Sequence, residues 1–135
     1  MRTTLRSIAR TALAAAVLCA ASGWAADLDE LEDTTPGERA KAQTAMMKTK
    51  LGLTDAEAAK VAPINAKYAE KMEPIIKGDK IQLMKMRDVR EVEQQKEAEL
   101  KTVLTADQFT KFEASKEEMM EKLADHIHAD RAKGK

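Results

Sequence analysis

Apolar residues recur at three- and four-residue spacing through four segments of the chain, the periodicity of amphipathic helices. The first, from Pro36 to about Leu51, places Ala40, Thr44, Met47 and Leu51 on one stripe, with Met46 beside it. A second begins after Thr54 and carries Ala58, Val61, Tyr68, Met72 and Ile75 or Ile76. The third, from Lys80 to about Val103, spans roughly 36 Å as a helix and sets Ile81, Met84, Val89, Val92, Leu100 and Val103 on or near one face. Leu83 and Met86 lie about 200° and 140° round from Ile81, so that stripe cannot take them. A fourth segment after Thr105 carries Phe109, Phe112, Met119 or Met120, Leu123 and Ile127 as a heptad-like seam.

Each segment opens on a helix-starting signal. Thr35 with Glu38, Thr54 with Glu57, Asp79 with Gln82 and Thr105 with Gln108 all have capping-box spacing. In such a box the first side chain accepts the N-H of the third helical residue, whose own side chain reaches back. Pro36 suits the first helical position, and Leu104 with Phe109 can close a hydrophobic staple. Gly52 and the Lys77-Gly78 turn are stops. Within the second segment, Pro63 and Pro74 each remove a helical hydrogen bond, so this helix should be curved, or broken near Pro74. Glu97 with Lys101 and Glu118 with Lys122 are spaced as i, i+4 ion pairs.

The remaining pieces read differently. Arg2, Arg6 and Arg10, the apolar run Thr11 to Ala21 and the small-x-small site Gly23-Trp24-Ala25 form a secretory signal peptide over residues 1–25. The run is too short for a membrane anchor, and Leu18 before Cys19 argues against lipidation. Cleavage after Ala25 removes the only Cys and the only Trp. Residues 26–34, with Asp27, Asp29, Glu30, Glu32 and Asp33, lack periodicity and read as a mobile acidic arm. Residues 35–135 then form one all-α domain, four helices in an elongated helical hairpin arrangement.

Charge and composition narrow the chemistry. With 23 basic and 23 acidic residues, loss of the three leader arginines leaves a formal charge of −3. That near balance excludes the basic stripe of a nucleic-acid binder. The exported part has no thiol, no Gly-rich loop and no serine in a nucleophile setting, so an enzyme is not expected, nor a cofactor. His126 and His128 point about 200° apart on a helix, and Asp130 could join only His126, so no specific metal site is expected.

The start signals also repeat. At an offset of 51 residues, Leu53-Thr54 pairs with Leu104-Thr105, Lys60 with Lys111, Val61 with Phe112, and Glu70-Lys71-Met72 with Glu121-Lys122-Leu123. Leu104-Thr105-Ala106-Asp107-Gln108 is an L-T-x-x-Q motif, and Leu53-Thr54-Asp55-Ala56-Glu57 is its near copy with Glu in place of Gln. The doubled motif, the leader and the helical spacing resemble the Spy/CpxP-like periplasmic proteins over roughly Lys48 to Leu123. The resemblance implies an antiparallel, cradle-shaped homodimer that binds unfolded or partly folded envelope proteins without ATP. It also implies, as alternatives, a regulator acting on a sensor kinase or a metal-responsive periplasmic protein. The capping residues themselves are read as structural, because a box accounts for their types and spacing. A thin helical domain has little interior, so Leu83 and Met86, with Met46 as a weaker candidate, are the expected client or dimer surface. No stable membrane insertion is expected once the leader is removed.

Overall fold

The computed structural model describes residues 28–134. The expected leader and its cleavage point lie outside them. The helices are α1 (Pro36–Leu51), α2 (Asp55–Ile76), α3 (Gln82–Val103), α4 (Ala106–Glu121) and α5 (Leu123–Lys133). A helical turn at residues 28–30 precedes them, and the described residues include no strand.

Cross-helix side-chain bonds fix the directions. Arg39 reaches Glu73, Asn65 reaches Thr44, and Lys48 pairs with Asp55, so α1 and α2 run antiparallel. Between α2 and α3, Lys67 and Tyr68 meet Glu99 while Lys71 meets Gln95. Lys116 on α4 pairs with Glu97 on α3 at 2.7 Å, and Lys50 on α1 pairs with Glu118 on α4, also at 2.7 Å. Successive rods therefore run up and down, with α4 and α5 together forming the fourth. Lys122 leaves α geometry at φ −92°, ψ 1° and separates the two, where the sequence predicts one continuous helix. The bend leaves Leu123, Ala124 and Ile127 all buried.

All four rods feed two apolar clusters. One joins Ala42, Met72, Ile76, Val89, Leu123 and Ile127; the other joins Met47, Leu51, Val61, Leu100, Phe112 and Met119. A belt of buried polar groups accompanies them. The Lys96 ammonium, 4% exposed, donates to Gln43 Oε1 at 2.9 Å. Asn65, fully buried, donates to Thr44 Oγ1 at 2.9 Å and to Met47 Sδ at 3.5 Å. A cavity of about 30 Å³, lined in part by Gln43, Glu93, Lys96 and Met119, adjoins the belt.

Two expectations are corrected here. Residues 28–34 are not a mobile arm: Leu28 and Leu31 are 4% and 2% exposed and belong to the first cluster. Thr34 Oγ1 donates to the Leu31 carbonyl at 2.7 Å, and the Arg39 guanidinium donates to the Thr34 carbonyl at 2.9 Å. The acidic residues between the two leucines face solvent, so composition hid a two-residue apolar contact. The predicted box of Asp79 and Gln82 also does not form. Helix α3 begins at Gln82, its cap position is Ile81 with no side-chain cap bond, and Gln82 Nε2 donates instead to Asp29 Oδ1 at 3.1 Å.

The buried face of α3 also differs from the expected stripe. Lys85, Val89, Lys96 and Leu100 are buried, while Ile81 and Met84, expected on the stripe, are exposed. Lys85 can enter because its ammonium donates to the Ile76 carbonyl at 3.0 Å, closing the end of α2. Helix α2 runs unbroken through Pro63 and Pro74, both on the solvent side, where carbonyls that lose a helical donor can take water. Glu97 pairs with Lys116 rather than Lys101, whose ammonium lies 5.6 Å from the Phe109 ring centre. Glu118 and Lys122 pair as predicted, at 2.7 Å.

Truncating Leu31 tests the packed strap. Leu31→Ala is expected to lower unfolding free energy in urea by about 2–5 kcal/mol, whereas Glu30→Ala, on the exposed side, should change it by less than about 0.5 kcal/mol.

Candidate binding face and the paired capping motifs

Three of the four predicted boxes form. Thr35 and Glu38 close the start of α1, Glu38 N-H donating to Thr35 Oγ1 at 3.2 Å and Thr35 N-H to Glu38 Oε2 at 2.9 Å. The same pair of bonds measures 3.2 and 2.9 Å for Thr54 and Glu57, and 3.2 and 3.0 Å for Thr105 and Gln108. Leu104 is buried in the second cluster, against which Phe109 packs half-buried, where the staple is expected.

The two motifs also meet in space. The Glu57 carboxyl is held below its ordinary pKa by the Thr54 backbone N-H and then by the Gln108 side chain, which faces it across the helix starts. Gln108 is itself buried. The duplicated positions match in environment: Val61 and Phe112 are both buried, as are Met72 and Leu123, while Lys60 and Lys111 are both exposed. Sequence spacing revealed the repeat, but not that its two caps touch.

A second clasp joins α5 to the start of α1. Arg131 donates to Glu38 Oε1 at 2.7 Å and Oε2 at 2.8 Å, and to the Asp33 carbonyl at 2.9 Å. The Arg131 guanidinium, followed by the Thr35 backbone, lowers the Glu38 pKa from 4.5 to about 2. A partner 93 residues away leaves no local signal in the sequence.

The exposed apolar surface gathers where α3 begins. Ile81, Leu83 and Met84 are 67, 75 and 45% exposed. Met86 is half-buried and shares one side of α3 with Leu83, Arg87, Arg90, Glu91 and Gln94. Leu83 thus stands exposed and Met86 half-buried along one side of α3, while Ile81 and Met84 are exposed in its first turn, with Met84 pointing about 160° away from Met86. Met46 does not share this surface: it is half-buried and packs against both interior clusters, which corrects its assignment to a client or dimer face.

Metal and acid–base chemistry find little to work with. His126 Nε2 lies 3.6 Å from Asp130 Oδ2, and His128 is exposed one residue beyond the buried Ile127. Among the described residues no three His, Cys, Asp or Glu side chains gather in a way that could hold a metal ion. The lowered carboxyl pKa values belong to capping and ion-pair partners, with Lys122 and Lys50 holding Glu118 at about 2. None of the described helices is long and apolar enough to cross a membrane.

The arrangement is that of a small all-helical domain built on capped helix starts, with exposed apolar residues at the start of α3. The chain belongs to the family described as Domain of unknown function (DUF4890), whose model matches residues 25–112. The matched span covers α1 to α3, both motifs and the exposed face. Neither a curated protein nor a solved structure matches the chain.

Two measurements probe this geometry. Gln108→Glu sets a second carboxylate near Glu57 and should lower the urea midpoint near neutral pH more than at about pH 3, where both can be protonated; adding Glu57→Gln, which exchanges the two side chains, should restore the midpoint. Glu38 holds its proton more weakly in the folded chain than its ordinary value of 4.5. Its contribution to stability is therefore complete above about pH 4.5 and fades as pH falls toward 2. In Glu38→Gln, acid titrations followed by circular dichroism should show a shallower loss of stability across that window.

Proposed function

We propose that the protein is an exported, ATP-independent holding protein of the bacterial envelope, which binds non-native proteins transiently and limits their aggregation. The observation that carries this reading is the exposed apolar surface at the start of α3, where Ile81, Leu83 and Met84 all stand open to solvent within four residues. The other large hydrophobic side chains of the described helices are buried or half-buried. A face of this kind, rimmed by polar and charged groups, suits an interaction with apolar segments of other chains, and flexible methionines suit a surface that must accept many of them.

The doubled Leu-Thr motif supports the same reading through its resemblance to Spy/CpxP-like periplasmic proteins. Both copies have the geometry of working caps, and the family match begins at residue 25, where leader cleavage is expected. In this proposal the protein works in the periplasm as an elongated, cradle-shaped antiparallel homodimer, and its clients are unfolded or partly folded envelope proteins. The confinement of the exposed apolar residues to one end of α3 also favours a second reading, docking to a single envelope partner such as a sensor kinase. That reading differs in predicting one saturable partner.

Light scattering of a reduced or heat-stressed client, with the purified protein added at a few-fold excess, separates the two. Suppression of aggregation for unrelated clients is expected, together with its loss by half or more in Ile81→Ser/Leu83→Ser. Because both sites are exposed, that variant's unfolding free energy should move by less than about 0.5 kcal/mol per site. No suppression at any salt concentration would remove the holding function, and a sedimentation result showing monomers would remove the cradle.

A further inference from the structure

The seven methionines that follow residue 25 differ sharply in exposure. Met47, Met72 and Met119 are 2, 6 and 7% exposed, and Met47 Sδ accepts the Asn65 amide at 3.5 Å. Met46, Met86 and Met120 are half-buried. Met84, at 45%, stands open in the first turn of α3, three residues after exposed Ile81 and next to exposed Leu83 in the chain. The described residues include no cysteine, so thioethers are the readily oxidised sulfur groups they offer.

We infer that Met84 is an oxidation site at which a hydroperoxide switches the apolar face off. A lone pair on Met84 Sδ attacks one peroxide oxygen. The S–O bond forms as the O–O bond breaks, sulfur loses two electrons, and the departing hydroxide takes a proton and leaves as water. The product is a sulfoxide, a polar and chiral acceptor in place of a flexible apolar chain. Placed beside Ile81 and Leu83, it draws water onto the surface that an apolar segment would have to cover. The reaction is reversible by methionine sulfoxide reductases, so the face can be restored without new synthesis. Burial keeps Met47, Met72 and Met119 from following, which leaves the interior intact while the surface changes. This inference rests on the reading of the face as a docking surface.

Peptide mass mapping after brief treatment with dilute hydrogen peroxide tests the site, with binding of an apolar fluorescent dye and client light scattering measured on the same samples. The expected result is Met84 sulfoxide forming about tenfold or more faster than sulfoxide at the three buried methionines. Dye binding and client holding should fall in step, and a methionine sulfoxide reductase should return both. Met84→Leu should keep both after the same treatment. Equal oxidation of the buried methionines, no dye binding by the untreated protein, or a Met84→Leu variant that loses dye binding as quickly as wild type would overturn the inference. If the untreated protein binds dye but holds no client, the holding function fails, while the peptide map and the dye signal still decide whether Met84 is the switch.

Discussion

Every helix leaves its first backbone N-H groups without partners inside the helix, and this chain depends on how those groups are satisfied. Three aromatic side chains within the described helices, Tyr68, Phe109 and Phe112, give it a modest interior, so the ends of the rods must be set by local chemistry. Thr35, Thr54 and Thr105 do this with reciprocal boxes. The boxes then serve longer contacts: Glu38 takes Arg131 from the last helix, and Glu57 faces Gln108 from the other motif. Helix α3 starts from a turn without a side-chain cap, and its first turn is where apolar residues stand in solvent. The loosest start and the candidate binding face coincide.

Much of the fold was legible because its signals are local. Capping boxes span four residues and amphipathic stripes a few turns, so the boundaries of α1 and α2 and the start of α4 follow from spacing alone. Helix α3 shows where this stops. Val89, Val92 and Leu100 carry the right period, but the first turn was read as a continuation of the same stripe. The true start at Gln82 is set by Asp29, 53 residues earlier, and by Lys85 closing the end of α2. Neither contact has a trace in local spacing.

The candidate site was half legible for the same reason. Leu83 and Met86 stood out as apolar residues that the stripe could not accommodate, which is a statement about angles and survives a shift of helix start. Ile81 and Met84 lie at the edge of that stripe, and because the buried face of α3 is centred on Lys85, Val89, Lys96 and Leu100, both are left in solvent. Met46 was assigned outward because it adjoins the α1 stripe, yet it fills the space between two clusters that only the assembled bundle defines. The Leu28–Leu31 strap was hidden by five neighbouring acids. Its signal, two leucines three residues apart, is visible only once charge is read as a solvent face.

The buried belt of Gln43, Asn65 and Lys96 has a consequence for how the rods are aligned. Apolar surfaces alone are forgiving, since a helix displaced along its axis by one turn, about 5.4 Å, presents a similar stripe. Here such a slip would carry the Lys96 ammonium away from Gln43, leaving it only Glu93 on its own helix, and the fully buried Asn65 amide away from Thr44. A buried amide left without a partner costs free energy that a displaced apolar stripe does not return. The belt thus acts as a register lock, selecting one alignment of α1, α2 and α3.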